Sequence, residues 1–279
     1  MISRRAVLAT GVAVLARPRF ARAEESRLSF GADLTQGGLV VGKTAAGTQV
    51  TVDGKSVLVS EAGVFAFGFS YDRTTPVRVF ARYADGAEDT RDVTPAARSY
   101  AVQRIDGLPQ NQVVPPPDIL ARIKRESAAI ETARMNNMPH DWFAGGLQWP
   151  AAGIVSSVYG SQRILDGVPM APHLGVDISA PEGTPIHAPA RAVVSLAEPD
   201  FYLDGGLTLL DHGQGISTCY VHQKRLYVTP GDTVRQGDVI GLIGKTGRAT
   251  GPNLHWGLNW FQLKLDPSLS TRTPLPPRY

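Results

Sequence analysis

The 279-residue chain is long enough for one large domain or two small ones, and its 43% hydrophobic content suits a buried core. Its formal charge of +3 belongs to one end: residues 1–23 hold five arginines and no acids, and without them 23 basic residues face 25 acids, a net −2. No basic excess is left to point to nucleic acid, and the single cysteine, Cys219, excludes an intrachain disulfide framework.

The first element is an expected export signal. SRRAVLATGVAVLA is a basic pair followed by an apolar run too short to cross a membrane, and RPRFARA ends in the small-x-small triplet Ala21-Arg22-Ala23. Cleavage over 1–23 places the mature start near Glu24 and the protein in the periplasm, with no transmembrane segment in the mature chain. Ser3-Arg4-Arg5 leaves the twin-arginine and general secretion routes both open.

Over 28–110 the chain alternates in short runs, TQVTV, KSVLVS, VFAFGFS and PVRVFARY, separated by turn signals of which Asp53-Gly54 is a two-residue hairpin cue. Strands at this spacing predict a small immunoglobulin-like β-sandwich. Residues 111–140 read as a proline-rich linker and a helix, capped by Asp118 and running to about Met135, with Ile119, Ile123 and Ile130 on one stripe. The stripe fits packing on either neighbour.

From 141 to 265 the pattern is β again, as in GLTLLDHG, ISTCYVH, LYVTPG, DVIGLIG and NLHWGLNW, which predicts an antiparallel sheet or flattened barrel. Residues 266–279 form an extended tail. The fold class is therefore mainly β, with no solenoid repeat.

Five of the six histidines fall between 173 and 255. In HLGVD, His173 and Asp177 are four apart, and on a strand that spacing puts both side chains on one face. In NLHW, Asn253 and His255 are two apart and face one site together on a strand. Two histidines and a carboxylate are a common donor set for catalytic Zn2+, which would make His173, Asp177 and His255 ligands and leave His222 to handle protons or stabilise an oxyanion. Spacing alone does not assign those roles.

Other residues read more plainly. Cys219 alternates with Tyr220 and His222 and reads as a core thiol on the opposite face; Trp256 points away from His255 into the core. His187 reads as an exposed strand residue, His212 as a turn stabiliser, and Arg163 as a salt-bridge partner or an anchor for an acidic peptide group; His140 has no evident partner. VTPGDTVRQGDVIGLIG resembles a hairpin of biotinyl and lipoyl carrier domains, but the modifiable lysine tripeptide is missing.

The stretches GSQRILDGVPMAPHLGVDISAPEGTPI, LDHGQGISTCYVHQ and VTPGDTVRQGDVIGLIGKTGRATGPNLHWGLN, in that order, resemble the M23 zinc metallopeptidases, the lysostaphin and LytM-like peptidoglycan endopeptidases. The resemblance implies that His173 and Asp177 are the His-x-x-x-Asp ligand pair and that His255, the second position of the His-x-His motif, is the third ligand. It further implies that His222 is the catalytic histidine of Tyr-x-His. Asn253 stands where that family has its second catalytic histidine. The implied function is cleavage of peptidoglycan peptide crosslinks. The alternative is a non-catalytic module that binds cell wall or activates another cell-wall hydrolase, because an asparagine amide donates a hydrogen bond but carries no proton near neutral pH.

Overall fold

The computed structural model describes residues 27–31, 34–105, 117–165, 168–169 and 171–276. The export signal, residues 106–110 and the proline-rich start of the linker, 111–116, lie outside the described residues. No helix among them is long and apolar enough to cross a membrane.

Seven strands form the first unit: β1 Ser29–Phe30, β2 Leu39–Lys43, β3 Gln49–Val52, β4 Lys55–Val57, β5 Val64–Gly68, β6 Val77–Arg82 and β7 Glu88–Val93. They make two antiparallel sheets, β1-β2-β5 and β4-β3-β6-β7, with Val40, Phe65 and Phe67 of one packed against Val50, Val52, Val77, Val79 and Ala81 of the other. This is a sandwich with an immunoglobulin-like sheet partition, as the strand spacing predicts. Asp53 and Gly54 both have positive φ, 46° and 78°, and Val52 pairs with Lys55, so the hairpin turn has the primed geometry that matches strand twist.

Strand β7, EDTRDV, is too polar to announce itself by alternation. It forms at the sheet edge, where Arg78 and Asp92, and Arg82 and Glu88, pair across to β6. Strand β5 is buried on both faces: Phe65 and Phe67 enter the sandwich core, while Val64 and Ala66 join the core of the C-terminal unit. Its uninterrupted apolar run, VFAFG, follows from that double burial.

After the sandwich, β8 (Val102–Ile105) pairs in parallel with Gln162–Leu165 further along the chain. Helix α1 spans Pro117–Ala133, so Asp118 lies in its first turn and not before it as the cap expected from the sequence. The helix packs on the C-terminal sheet, with Ile130 against Phe201, Leu207, Leu209, Cys219 and Val221. Ile119 and Ile123 are half-buried.

The C-terminal strands are β9 Ile154–Ser157, β10 Gln162–Leu165, β11 Val168–Pro169, β12 Val176–Ser179, β13 Pro185–His187, β14 Ala192–Phe201, β15 Gly205–Gly213, β16 Ile216–Leu226, β17 Thr233–Val234, β18 Val239–Ile243, β19 Asn253–Trp260 and β20 Leu263–Leu265. The large sheet runs β17-β14-β15-β16-β19-β12-β9, with β18 bridging β16 and β13 and β20 added to β19. Its pairings are antiparallel. Trp256, Tyr220, Ile178, Leu254 and Leu258 fill the core beneath it. The tail is not extended throughout as expected: Asp266 and Pro267 are buried at the start of a 3₁₀ turn over Pro267–Ser270, only 272–275 are exposed, and Trp149 Nε1 donates to the Thr273 carbonyl.

Candidate metal centre and groove

Register builds the site. His255 on β19 pairs with Asp177 on β12 and with Val221 on β16, so this row shares one face of the sheet. The next row, Val176, Trp256 and Tyr220, points the other way into the core. Trp256 is thus a core residue turned from His255, as the alternation predicts.

His173 arrives differently from the expectation that it shares a strand with Asp177. It precedes β12, bridges to Ser161, and reaches the site because the chain bends at Gly175. That bend needs a glycine: a Cβ on Gly175 would lie 2.4 Å from Cε1 and 2.6 Å from Nε2 of His255. The His-x-x-x-Asp spacing works through a corner and not through strand periodicity.

Three donor atoms converge at this corner. His173 Nε2 is 3.0 Å from Asp177 Oδ1, His255 Nδ1 is 2.9 Å from the same oxygen, and the two imidazole nitrogens are 2.9 Å apart. Ring Nδ1 of His173 meets Ser157 Oγ at 3.0 Å, which occupies that nitrogen and leaves Nε2 to face the other donors. Burial alone would raise the Asp177 carboxyl, but the hydrogen bonds and charge of His173 and His255 outweigh it and hold the group well below the usual carboxylate range.

The donor set fits a divalent ion. Two imidazoles and a carboxylate in a tetrahedral zinc site have donor atoms about 3.3 Å apart, for bonds of about 2.0–2.1 Å, within a few tenths of an ångström of those found. Among the described residues this is a cluster of His and Asp able to hold a metal. Three protein donors leave a tetrahedral position for water or substrate.

His222 is placed by a break in the strand. Strict alternation along β16 would send it to the core side with Tyr220, opposite Cys219. Instead its φ is +67°, in the left-handed region, and the pairing with β15 slips between Tyr220 and Gln223. The slip turns His222 out to line the same groove as His173, Asp177, Asn253 and His255. Its main-chain N–H donates to the Asp204 carbonyl, and Nδ1–H donates to the Thr246 carbonyl, each at 2.8 Å, which leaves Nε2 as an acceptor. Burial, with the neighbouring His255 adding to it, lowers its pKa to about 4, so the ring is neutral near pH 7.

Asn253 begins β19 opposite Ser179 and lines the groove with His255, as the two-residue spacing predicts. Its Oδ1 is buried without a hydrogen-bond partner. The groove has a volume of about 540 Å3 and is walled further by Ser179, Asp204, Arg248 and Lys264. Sequence reading passed over Ser157, Asp204 and Lys264, since each sits in a stretch without motif spacing and comes to the groove only by folding.

The other histidines are structural. His212 is fully buried within β15, with Nδ1 donating to the Arg191 carbonyl and Nε2 meeting Thr218 Oγ1; it ties strands together and does not stabilise a turn. His187 is half-buried and not exposed as the sequence suggested, because it bonds the Gly237 carbonyl away from the groove. His140 does have a partner, stacking on Trp142 at 3.9 Å, with Arg191 over that indole at 4.5 Å. Cys219 is buried. The Arg163 side chain lies outside what is described.

Residues 171–267 match Peptidase family M23. This stretch is an M23 peptidase domain. Across 89 residues the chain is 39% identical to the peptidoglycan DD-endopeptidase ShyA of Vibrio cholerae, which covers 32% of this chain and 20% of that protein. It is 28% identical over 191 residues to the cell division protein DipM of Caulobacter vibrioides, covering 67% of this chain and 30% of that one. ShyA and two further curated relatives are matched over about a fifth of their own length. A crystal structure of a Pseudomonas aeruginosa protein assigned to peptidase M23 superposes with a TM-score of 0.67 at 28% identity, over 85% of this chain and 95% of that one. The M23 domain and most of the sandwich thus recur together.

Proposed function

We propose that the chain is an exported, periplasmic zinc endopeptidase that hydrolyses peptide crosslinks of peptidoglycan, with His173, Asp177 and His255 as the metal ligands. The observation that carries this reading is the convergence of three donor atoms within 3.0 Å on the wall of an open groove that also presents the free Nε2 of His222. Peptidoglycan as substrate is supported by the relatives whose names specify it.

Zinc held there supplies Lewis acidity toward a peptide carbonyl and toward water. The chain's own residues supply the rest. His222, fixed as the Nδ1–H tautomer by Thr246, accepts a proton at Nε2. Asn253, whose Oδ1 is turned into the protein, offers its NH2 end to orient a substrate carbonyl. The groove gives an extended peptide a bed along β12 and β19.

A second reading follows from the same asparagine. With an amide where a proton carrier stands in the family it resembles, the domain would bind cell wall or activate another wall hydrolase without cutting. Digestion of purified crosslinked peptidoglycan by zinc-loaded protein, read by mass spectrometry of muropeptides, separates the two. Loss of crosslinked dimers with wild type but not His255→Ala supports the peptidase, and the His222→Ala variant is expected to keep its zinc and lose turnover. Intact dimers with zinc bound would leave the binding role.

A further inference from the structure

We propose that Asp204 is a second proton-handling group of this groove, performing the part that Asn253 cannot. The proposal rests on the peptidase reading above and concerns the same reaction.

Asp204 lies at the tip between β14 and β15, on the groove wall next to His222, whose main-chain N–H it accepts through its own carbonyl at 2.8 Å. The tip is held in place from the other side. Arg248 N–H donates to the Leu203 carbonyl at 2.8 Å, and Gly247, with φ +68°, packs so closely that a Cβ there would come within 2.5 Å of the Leu203 oxygen and 2.8 Å of the Asp204 carbonyl carbon. The backbone that carries this carboxyl is therefore fixed relative to both His222 and the loop that leads into Asn253.

Among the described residues the carboxyl itself has no hydrogen-bond or ion-pair partner, unlike the buried acids Asp177, Asp211 and Asp266. Asp177 is bonded by two histidines, Asp211 accepts from the Gly213 N–H, and Asp266 accepts from Ser268 and pairs with Arg98. Only burial and more distant charges act on Asp204, and burial raises its pKa. A half-buried acid on a groove wall that no side chain satisfies is a group kept for what enters the groove.

Hydrolysis of an amide needs two proton transfers. An O–H bond of water breaks as its oxygen bonds to the carbonyl carbon, and the C–N bond breaks as the nitrogen gains a proton. His222 Nε2 takes the first proton. His222 passes that proton to the Asp204 carboxylate, which delivers it to the leaving nitrogen. Both side chains are restored, and the products are one carboxylic acid and one amine.

The test is muropeptide release by the zinc-loaded full chain, comparing wild type, Asp204→Asn and the double variant Asp204→Asn/Asn253→His. The expected result is a fall in kcat of about 100-fold or more for Asp204→Asn, the range of acid-base assistance, with KM, bound zinc and melting temperature unchanged. An imidazole at 253 should restore at least tenfold of that loss, which a merely structural role for Asp204 would not allow. Undiminished kcat in Asp204→Asn, or a loss that Asn253→His does not relieve, overturns the inference while wild-type turnover keeps the peptidase reading intact. An inert zinc-loaded wild type instead overturns the peptidase reading, and the role of Asp204 falls with it.

Discussion

Gly175 shows how narrow the tolerances are at single positions. A methyl group there would collide with the His255 ring, whose Nδ1 is held by Asp177. The Gly175→Ala variant is expected to fold yet bind zinc at least tenfold more weakly, as measured by competition with a chelator, because the third donor is displaced from the corner. His212 makes a different prediction. Burial lowers its pKa from the usual 6.5 to about 4, so the unfolded chain binds a proton that the folded chain refuses between those values. Its contribution is complete above about pH 6.5 and is lost as pH falls toward 4, at up to about 1.4 kcal/mol per pH unit. Urea midpoints taken from pH 7 to pH 4 should fall, and less steeply in His212→Gln; an equal slope would remove His212 as the cause.

At the scale of elements, turns and strands are governed by local chemistry that the sequence displays. Gly54 sits at φ +78° with open space around it, so Gly54→Ala meets no clash and costs only backbone strain, about 1 kcal/mol in chemical denaturation. A neutral result would mean that the hairpin relaxes to another turn. Ile130 is the point where α1 is pinned to the sheet, and Ile130→Ala should cost about 2–4 kcal/mol. Asp53-Gly54, the alternating VRVFAR and the paired Asn253 and His255 were legible because short-range rules decide them. Strand β7 was not, since cross-strand ion pairs and not alternation define it. His222 could be picked out by type but not by direction, because its placement depends on a register slip that no periodicity announces. The Asp118 cap was off by two residues, within the usual uncertainty of a helix end.

Across the whole molecule, the sandwich and the C-terminal sheet are keyed to each other. Ser60 Oγ donates to Asp141, Gln214 Nε2 donates to the Val64 carbonyl, and Gly68 is small enough for Leu265 to lie against it. Arg98, at the end of the sandwich, pairs at 2.9 Å with Asp266, whose side chain is only 2% exposed. Arg98→Ala would strand a buried carboxylate that keeps only its Ser268 contacts, at a cost of about 1–3 kcal/mol. Calorimetry should show one unfolding transition that moves down as a unit in this variant; two separated transitions would show that the contacts do not couple the parts. None of this was legible in advance, because residues such as Gly68 and Leu265 carry no mark of a partner nearly two hundred positions away.

The left-handed residue within β16 also bears on engineering. Anyone transplanting this constellation onto another sheet would copy His173, Asp177, His222 and His255 and obtain, on regular strands, a site with one imidazole facing the wrong side. The portable unit is the four side chains together with the kink at His222 and the Thr246 carbonyl that steadies it. A graft lacking the kink would assemble the metal corner and leave the groove without its proton acceptor.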